Sequence, residues 1–162
     1  MIQVNVAMMA VDAEGGPVLL LKPVDAEAHP GVLLPIWIGP METAAILIAT
    51  GNAEAPERPL TYDLMVSLLA ACDAVVERIE VTSLVEGTFH ATITLRTPAG
   101  VQLVDARPSD SMALALRVGA PMFVADEVMS VAAIPDVTQD EGQTLAQFNE
   151  FIQHVDPEDF RN

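Results

Sequence analysis

The chain has 162 residues, 51% of them hydrophobic and 4% aromatic, with 23 Asp and Glu against 7 Lys and Arg for a formal net charge of -16. That length allows one domain with a proper core, or one domain made of two related halves, and the aliphatic surplus predicts burial against further copies in a homo-oligomer. No basic run exists to hold a phosphate backbone, so a DNA or RNA partner has to be met through divalent cations or a local arginine cluster.

In chain order, IQVNVAMM alternates as a strand with Ile2, Val4, Val6 and Met8 on one face. DAEGGP reads as a turn, VLLLK as a second strand, and VLLPIWIG as a third. PMETAAILIAT is the first clear helix: Pro40 suits its first position, Glu42 its first turn and Gly51 its stop. LTYDLMVSLLAAC is a second, with Thr61 as N-cap and Leu64, Leu68 and Leu69 marking one face. VVERIEVTSLV and TFHATITLR, joined at Glu86-Gly87, form a hairpin in which Phe89, Ala91, Ile93 and Leu95 point one way. VQLVDA is a strand, a helix follows from Ser109 to Val118, and PMFVA is a short strand. An acidic linker begins at Ala132, and Leu145, Phe148, Phe151, Ile152 and Val155 recur at helical spacing before an acidic tail. The expected organisation is a domain over residues 1–131 and an extension over 132–162. The fold class is α+β: a mixed, mostly antiparallel sheet with two to three packed helices.

Cys72 is the only cysteine, so no intramolecular disulfide forms and a reducing compartment is suitable. No basic region precedes the apolar N-terminal residues, and no apolar run approaches the ~18 residues of a membrane span. The expected setting is cytoplasmic, with no membrane partner.

A shift of 68 residues lays GPMETAAILIATG over RPSDSMALALRVG. Pro40 then meets Pro108, Glu42 meets Asp110, Thr43 meets Ser111 and Gly51 meets Gly119. This is one strand-turn-helix device used twice, a possible internal duplication. An acid near each helix start complements the free N–H groups and the dipole there. What the echo leaves unexplained is Asp105 with Arg107, whose counterparts are Trp37 and Gly39.

Four segments, LPIWIGPMETAAI, RPLTYDLM, GTFHATITL and VDARPSDSMALALRVGAPMFVADEV, resemble in that order the signature segments of the bifunctional nuclease family. The resemblance runs from about Ile2 to Val131. It implies a compact α+β domain, generally oligomeric, in a family whose members are said to cleave both DNA and RNA. It brings no catalytic residue set with it. The chain departs from the family pattern at His90, where relatives often carry an aromatic, and at Tyr62, where many carry a histidine.

Phosphodiester hydrolysis needs an oriented water, charge stabilisation on the non-bridging oxygens and a proton for the leaving oxygen, and acidic clusters commonly supply this through Mg2+ or Mn2+. The candidate metal ligands are Asp105, Asp110, Asp63 and Glu42, expected to converge in a groove. Arg58 and Arg107, each before a proline, are candidate phosphate clamps, and Ser109 with the amides of its helix can hold another phosphate oxygen. Asp105, Arg107, Ser109 and Asp110 form the candidate catalytic set. The same residues have plainer readings. Ser109 is an ordinary N-cap, Asp110 a first-turn acid, and Arg107 a partner for Asp105, Asp63 or Glu42. His90 reads as a partly exposed strand residue and Cys72 as a small core residue; His29 and His154 carry little signal. No GxSxG, P-loop, GxGxxG or zinc-spaced Cys/His cluster is present, so hydrolase triads, nucleotide cofactors and zinc sites lack their parts. Two functions remain: a low-specificity metal-dependent nuclease, or a noncatalytic binding or regulatory module whose Asp/Arg/Ser cluster is structural or takes a small anion.

Overall fold

The computed structural model describes residues 1–136. Three strands, β1 (Ile2–Val11), β2 (Pro17–Pro23) and β3 (Val32–Trp37), form an antiparallel meander that runs into α1 (Pro40–Ala49) and then α2 (Thr61–Ala71). A second meander, β4 (Val75–Val85), β5 (Thr88–Thr97) and β6 (Gly100–Ala106), runs into α3 (Pro108–Val118), followed by β7 (Met122–Val124), α4 (Asp126–Ala132) and β8 (Ile134–Pro135). All eight strands join one sheet in the order β6-β5-β4-β7-β1-β2-β3-β8, in which β4 and β7 run parallel and the other neighbours antiparallel. The fold is α+β with a mixed, mostly antiparallel sheet. It carries four helices among the described residues, one more than expected. None of them is long and apolar enough to cross a membrane.

The two meanders meet through β7, and the echo seen in the sequence is therefore a pair of β-β-β-α units. The main core lies under α1, α3 and α4, where Ile46, Met112, Leu114 and Val128 pack on Leu19, Leu21, Leu34, Ile36, Ile79 and Val81 of the sheet. A smaller cluster of Ala10, Val18, Leu20, Leu33 and Ile134 takes the alternate residues of the same strands, with Met8 and Trp37 against it. β2 thus buries both faces, which its unbroken VLLL run requires.

Several local expectations change. The pairing of β1 with β2 slips between Val6 and Met8, so one extra residue reverses the alternation. Val6 and Met9 face the main core, and Met8 faces the smaller cluster instead of sharing a side with Val6. α2 is set down on Tyr62, Val66 and Leu69, leaving Leu64 and Leu68 exposed. Its N-cap is Leu60, not Thr61; the Asp63 carboxylate accepts the Leu60 N–H at 2.9 Å. Cys72, at the C-cap of this helix, is exposed because α2 fully buries none of its residues. The folded body continues past Val131: Ala132 and Ile134 are buried, β8 pairs with β3, and buried Asp136 accepts Lys22 Nζ at 2.9 Å. The expected C-terminal helix and tail lie outside the described residues.

Candidate functional site

α1 and α3 pack against each other, and their starts follow the same rules. Each has proline at its first position and an acid at its third. Each also has a hydroxyl residue bonded back to the N-terminal turn: Thr43 Oγ1 donates to Gly39 O at 2.9 Å and Ser111 Oγ to Pro108 O at 2.8 Å. Because Pro108 is already helical, the N-cap of α3 is Arg107 and Ser109 is its second helical residue, so Ser109 is not the cap.

Arg107 stands between the two third-position acids. Its Nη2 donates to Glu42 Oε1 at 2.6 Å, its Nε to Asp110 Oδ2 at 2.8 Å, and its Nη2 also to Asp110 Oδ1 at 3.1 Å. The fork on Asp110 is bidentate, the geometry for which a guanidinium is suited. On the other side Tyr62 Oη donates to Asp110 Oδ1 at 2.6 Å. Gly39, the N-cap of α1, has no side chain to obstruct this arrangement; a Cβ there would overlap the Glu42 carboxylate.

The electrostatics follow from those bonds. Partial burial alone would raise the Asp110 pKa, but the hydrogen bonds from Arg107 and Tyr62 bring it below the ordinary carboxylate value. Burial, then the bond to Asp110, pushes the Tyr62 phenol well above its ordinary range. The two carboxylates hold Arg107 still more firmly protonated, Asp110 more than Glu42. One cation and two anions leave the Glu42–Arg107–Asp110 trio with a formal charge of -1.

Beside the trio lies a cleft of about 440 Å³. Its walls are residues 36–39 at the end of β3, the hairpin tip at 87–89 and residues 107–109 at the start of α3. The tip is a two-residue turn with positive φ at both Glu86 (49°) and Gly87 (76°), the type I′ form that suits a twisted hairpin. Two helix N-termini, each with first-turn N–H groups that have no intrahelical acceptor, therefore border one space. Ser109 lines it, mostly buried, and its hydroxyl makes no hydrogen bond to a described residue.

The other candidates lie elsewhere. Val104 and Ala106 face the helices, so Asp105 between them faces away, opposite Thr92 on β5. It does not pair with Arg107, because one step along a strand reverses the side. Asp63 accepts Arg117 Nε at 2.7 Å, a bond that together with the Leu60 N–H holds it below the ordinary carboxylate range. Arg58 sits exposed in the α1–α2 connection and does not line the cleft.

Arg117 was not among the expected residues. Its side chain is 8% exposed, its Nη1 donates to Ala45 O and Ala113 O at 3.1 and 2.9 Å, and its guanidinium lies 5.2 Å from the Tyr62 ring centre. It ties the three helices together behind the trio. The one available signal is a lone cation inside the apolar run MALALRV.

Glu42 and Asp110 come together, but on a guanidinium rather than on a shared space. Asp63 and Asp105 are turned elsewhere, and among the described residues no three His, Cys, Asp or Glu side chains form a metal-ligand set. The expected four-carboxylate convergence is not made, and these residues as placed do not fit Mg2+ or Mn2+.

Comparison with known proteins gives two findings. The model of a family described as "Bifunctional nuclease domain" matches residues 19–136. The uncharacterized proteins MT1877 and Rv1829, from two strains of Mycobacterium tuberculosis, are each 40% identical over 153 residues, covering 90% of this chain and 88% of the relative.

Proposed function

The chain belongs to the bifunctional nuclease domain family, and we propose that it acts on DNA and RNA phosphodiesters in the cleft between the starts of α1 and α3. One observation carries this reading. An exposed arginine, an unengaged serine hydroxyl and two helix N-termini border a single cleft. Those are the groups that receive a phosphate. Arg107 is 67% exposed, so its guanidinium can turn from its carboxylates toward a phosphate without unfolding anything. Fixed donors on the non-bridging oxygens lower the barrier to attack by water. Asp110, held by Arg107 beside the cleft and not in its lining, is the carboxylate proposed to take the proton of that water as the water oxygen bonds to phosphorus, one P–O ester bond breaks and the leaving oxygen is protonated from solvent. A Mg2+ or Mn2+ requirement needs Arg107 to release Glu42 and Asp110 first.

A second reading, a noncatalytic module for a small anion, is favoured by the trio's charge of -1 and the chain's -16. Plasmid and RNA cleavage by wild type, Arg107→Ala and Asp110→Asn, each with Mg2+, Mn2+ or EDTA, separates the two. The nuclease reading expects roughly a hundredfold loss in Arg107→Ala, the lower end of what removing one transition-state donor costs. Cleavage unchanged in both variants overturns it. No cleavage with any ion, together with phosphate binding that is lost in Arg107→Ala, establishes the second reading.

The proposed homo-oligomer has its support in α2 and β6, where Leu64, Leu68, Val101 and Leu103 are exposed and the open sheet edge carries few charges. The lone, exposed Cys72 is the basis for a cytoplasmic setting.

A further inference from the structure

Three hydrogen bonds converge on the Asp110 carboxylate, and its two oxygens share them unequally. Oδ2 accepts only Arg107 Nε, at 2.8 Å. Oδ1 accepts Tyr62 Oη at 2.6 Å and Arg107 Nη2 at 3.1 Å, the longest bond in the trio. The same Nη2 donates to Glu42 Oε1 at 2.6 Å, so the guanidinium is held more closely on the Glu42 side. Tyr62 is itself braced. It packs on the main core, the Arg117 guanidinium lies over its ring at 5.2 Å, and Arg117 pairs with Asp63, the next residue of α2.

We infer that Tyr62 is a positioning residue of the cleft, holding Asp110 in place so that Arg107 can leave it for a phosphate. This inference rests on the phosphodiester reading above, in which Arg107 turns from its carboxylates toward the substrate. A carboxylate partly withdrawn from water that loses its cation is destabilised unless another donor remains. Both acids lie in the first turn of a helix, where the dipole favours negative charge, so that term does not distinguish them. The phenol does. Asp110 keeps Tyr62 as a partner when Arg107 departs, whereas Glu42, only 12% exposed, has no second side-chain donor among the described residues. Arg107 therefore gives up Asp110 and keeps Glu42. The edge it frees carries Nε and Nη2, the fork that grips a carboxylate and suits two phosphate oxygens equally. In the same movement Asp110 Oδ2 loses its one partner while Oδ1 stays on Tyr62. The carboxylate is then fixed at one oxygen and open at the other, as a proton acceptor has to be. Without the phenol, Arg107 is the only side-chain partner of Asp110 and is held back from the phosphate.

A double-mutant cycle on the full chain separates this role from a merely structural one. Isothermal titration with inorganic phosphate at low ionic strength compares wild type, Tyr62→Phe, Asp110→Asn and the double variant. Thermal melting checks that each folds, and Tyr62→Phe keeps the ring beside Arg117. Expected is roughly tenfold weaker phosphate binding in Tyr62→Phe, in line with the loss of one hydrogen bond to a charged acceptor. In the Asp110→Asn background Arg107 has no charged partner on that side to leave, and the same substitution changes binding by less than about twofold. A similar loss in both backgrounds means that Tyr62 acts on the fold and not through Asp110. No loss beside an intact Asp110 means that Arg107 leaves it without help. Either result overturns this inference and leaves the phosphate cleft standing. Phosphate binding indifferent to Arg107→Ala overturns the reading beneath it.

Discussion

The β1–β2–β3–α1 half and the β4–β5–β6–α3 half follow one plan, yet their third strands end in opposite circumstances. β3 lies between β2 and β8, and Leu33, Leu34, Pro35 and Ile36 are buried on both faces. β6 lies at the open edge of the sheet and buries none of its residues. The helices that follow differ at single positions. The N-cap of α1 is Gly39 and that of α3 is Arg107; near the C-termini, Ala49 occupies the position that Arg117 takes in α3. The shared grammar makes two helix starts with an acid in each. Two unshared arginines in the second half turn those starts into a charged cluster and lock it from behind.

The largest way to break the comparison is to remove the buried arginine. Arg117→Ala makes α3 match α1 at that position and deletes two helix-to-helix bonds, to Asp63 and Ala45, together with one inside α3, to Ala113 O. Removing one partner of a well-buried pair costs about 3 kcal/mol, near the lower end of the usual range because Asp63 keeps partial access to water. In a domain of this size that lowers the melting temperature by on the order of 10 °C. Circular dichroism melting reads it. A loss below about 1 kcal/mol would mean that the three helices hold together without the arginine.

Next in size is the tyrosine that supports the trio from the first half. Tyr62→Phe keeps the ring beside Arg117 and removes only the bond to Asp110. A hydrogen bond to a charged acceptor, partly open to water, is worth about 1–2 kcal/mol at neutral pH. The pH dependence has two sides. Tyr62 is raised, so its contribution is full below the ordinary phenol pKa of about 10 and is lost as pH rises through the higher folded value. Asp110 is lowered, so its contribution is full above the ordinary carboxylate pKa of about 4 and is lost as pH falls through the lower folded value. Urea unfolding across pH is expected to show the alkaline loss shrink in Tyr62→Phe and the acid loss shrink in Asp110→Asn. An alkaline limb unchanged in Tyr62→Phe would assign that loss to another group.

How far the sequence reveals this depends on range along the chain. Helix starts are local, and Pro40 with Glu42 or Pro108 with Asp110 are readable because proline and an acid act within one turn. Strand parity is far less forgiving. Asp105 and Arg107 look like a pair two residues apart, but a strand ends and a helix begins between them, and only Arg107 comes round to the helix side. The extra residue in β1 is invisible for the same reason: alternation can be read only until the register slips. Leu64 and Leu68 look like a packing face because leucine marks apolarity, whereas α2 is set down on Tyr62, Val66 and Leu69. The cleft is the least legible part, since Trp37, Phe89 and Arg107 share no local pattern and meet only through the sheet order.

The smallest expected effect on stability falls at the other N-cap and makes the sharpest comparison between the halves. Gly39 has an ordinary negative φ of -81°, so Gly39→Ala strains no backbone and restricts the unfolded chain slightly. Its new methyl group displaces the Glu42 carboxylate, which has to turn away from Arg107. Losing an exposed ion pair and a glycine cap costs a few tenths to about 1 kcal/mol, so the net change in stability is within about 1 kcal/mol of zero. The effect on the cleft is larger in proportion, because Arg107 then answers to one carboxylate instead of two and the trio loses its excess negative charge. Phosphate and oligonucleotide binding should tighten severalfold in Gly39→Ala, and Glu42→Gln should reproduce the gain without touching the backbone. Isothermal titration at low ionic strength measures both. If Glu42→Gln tightens binding and Gly39→Ala does not, the carboxylate has kept its hold on Arg107 despite the methyl group. If neither does, Arg107 is not the group that receives the phosphate.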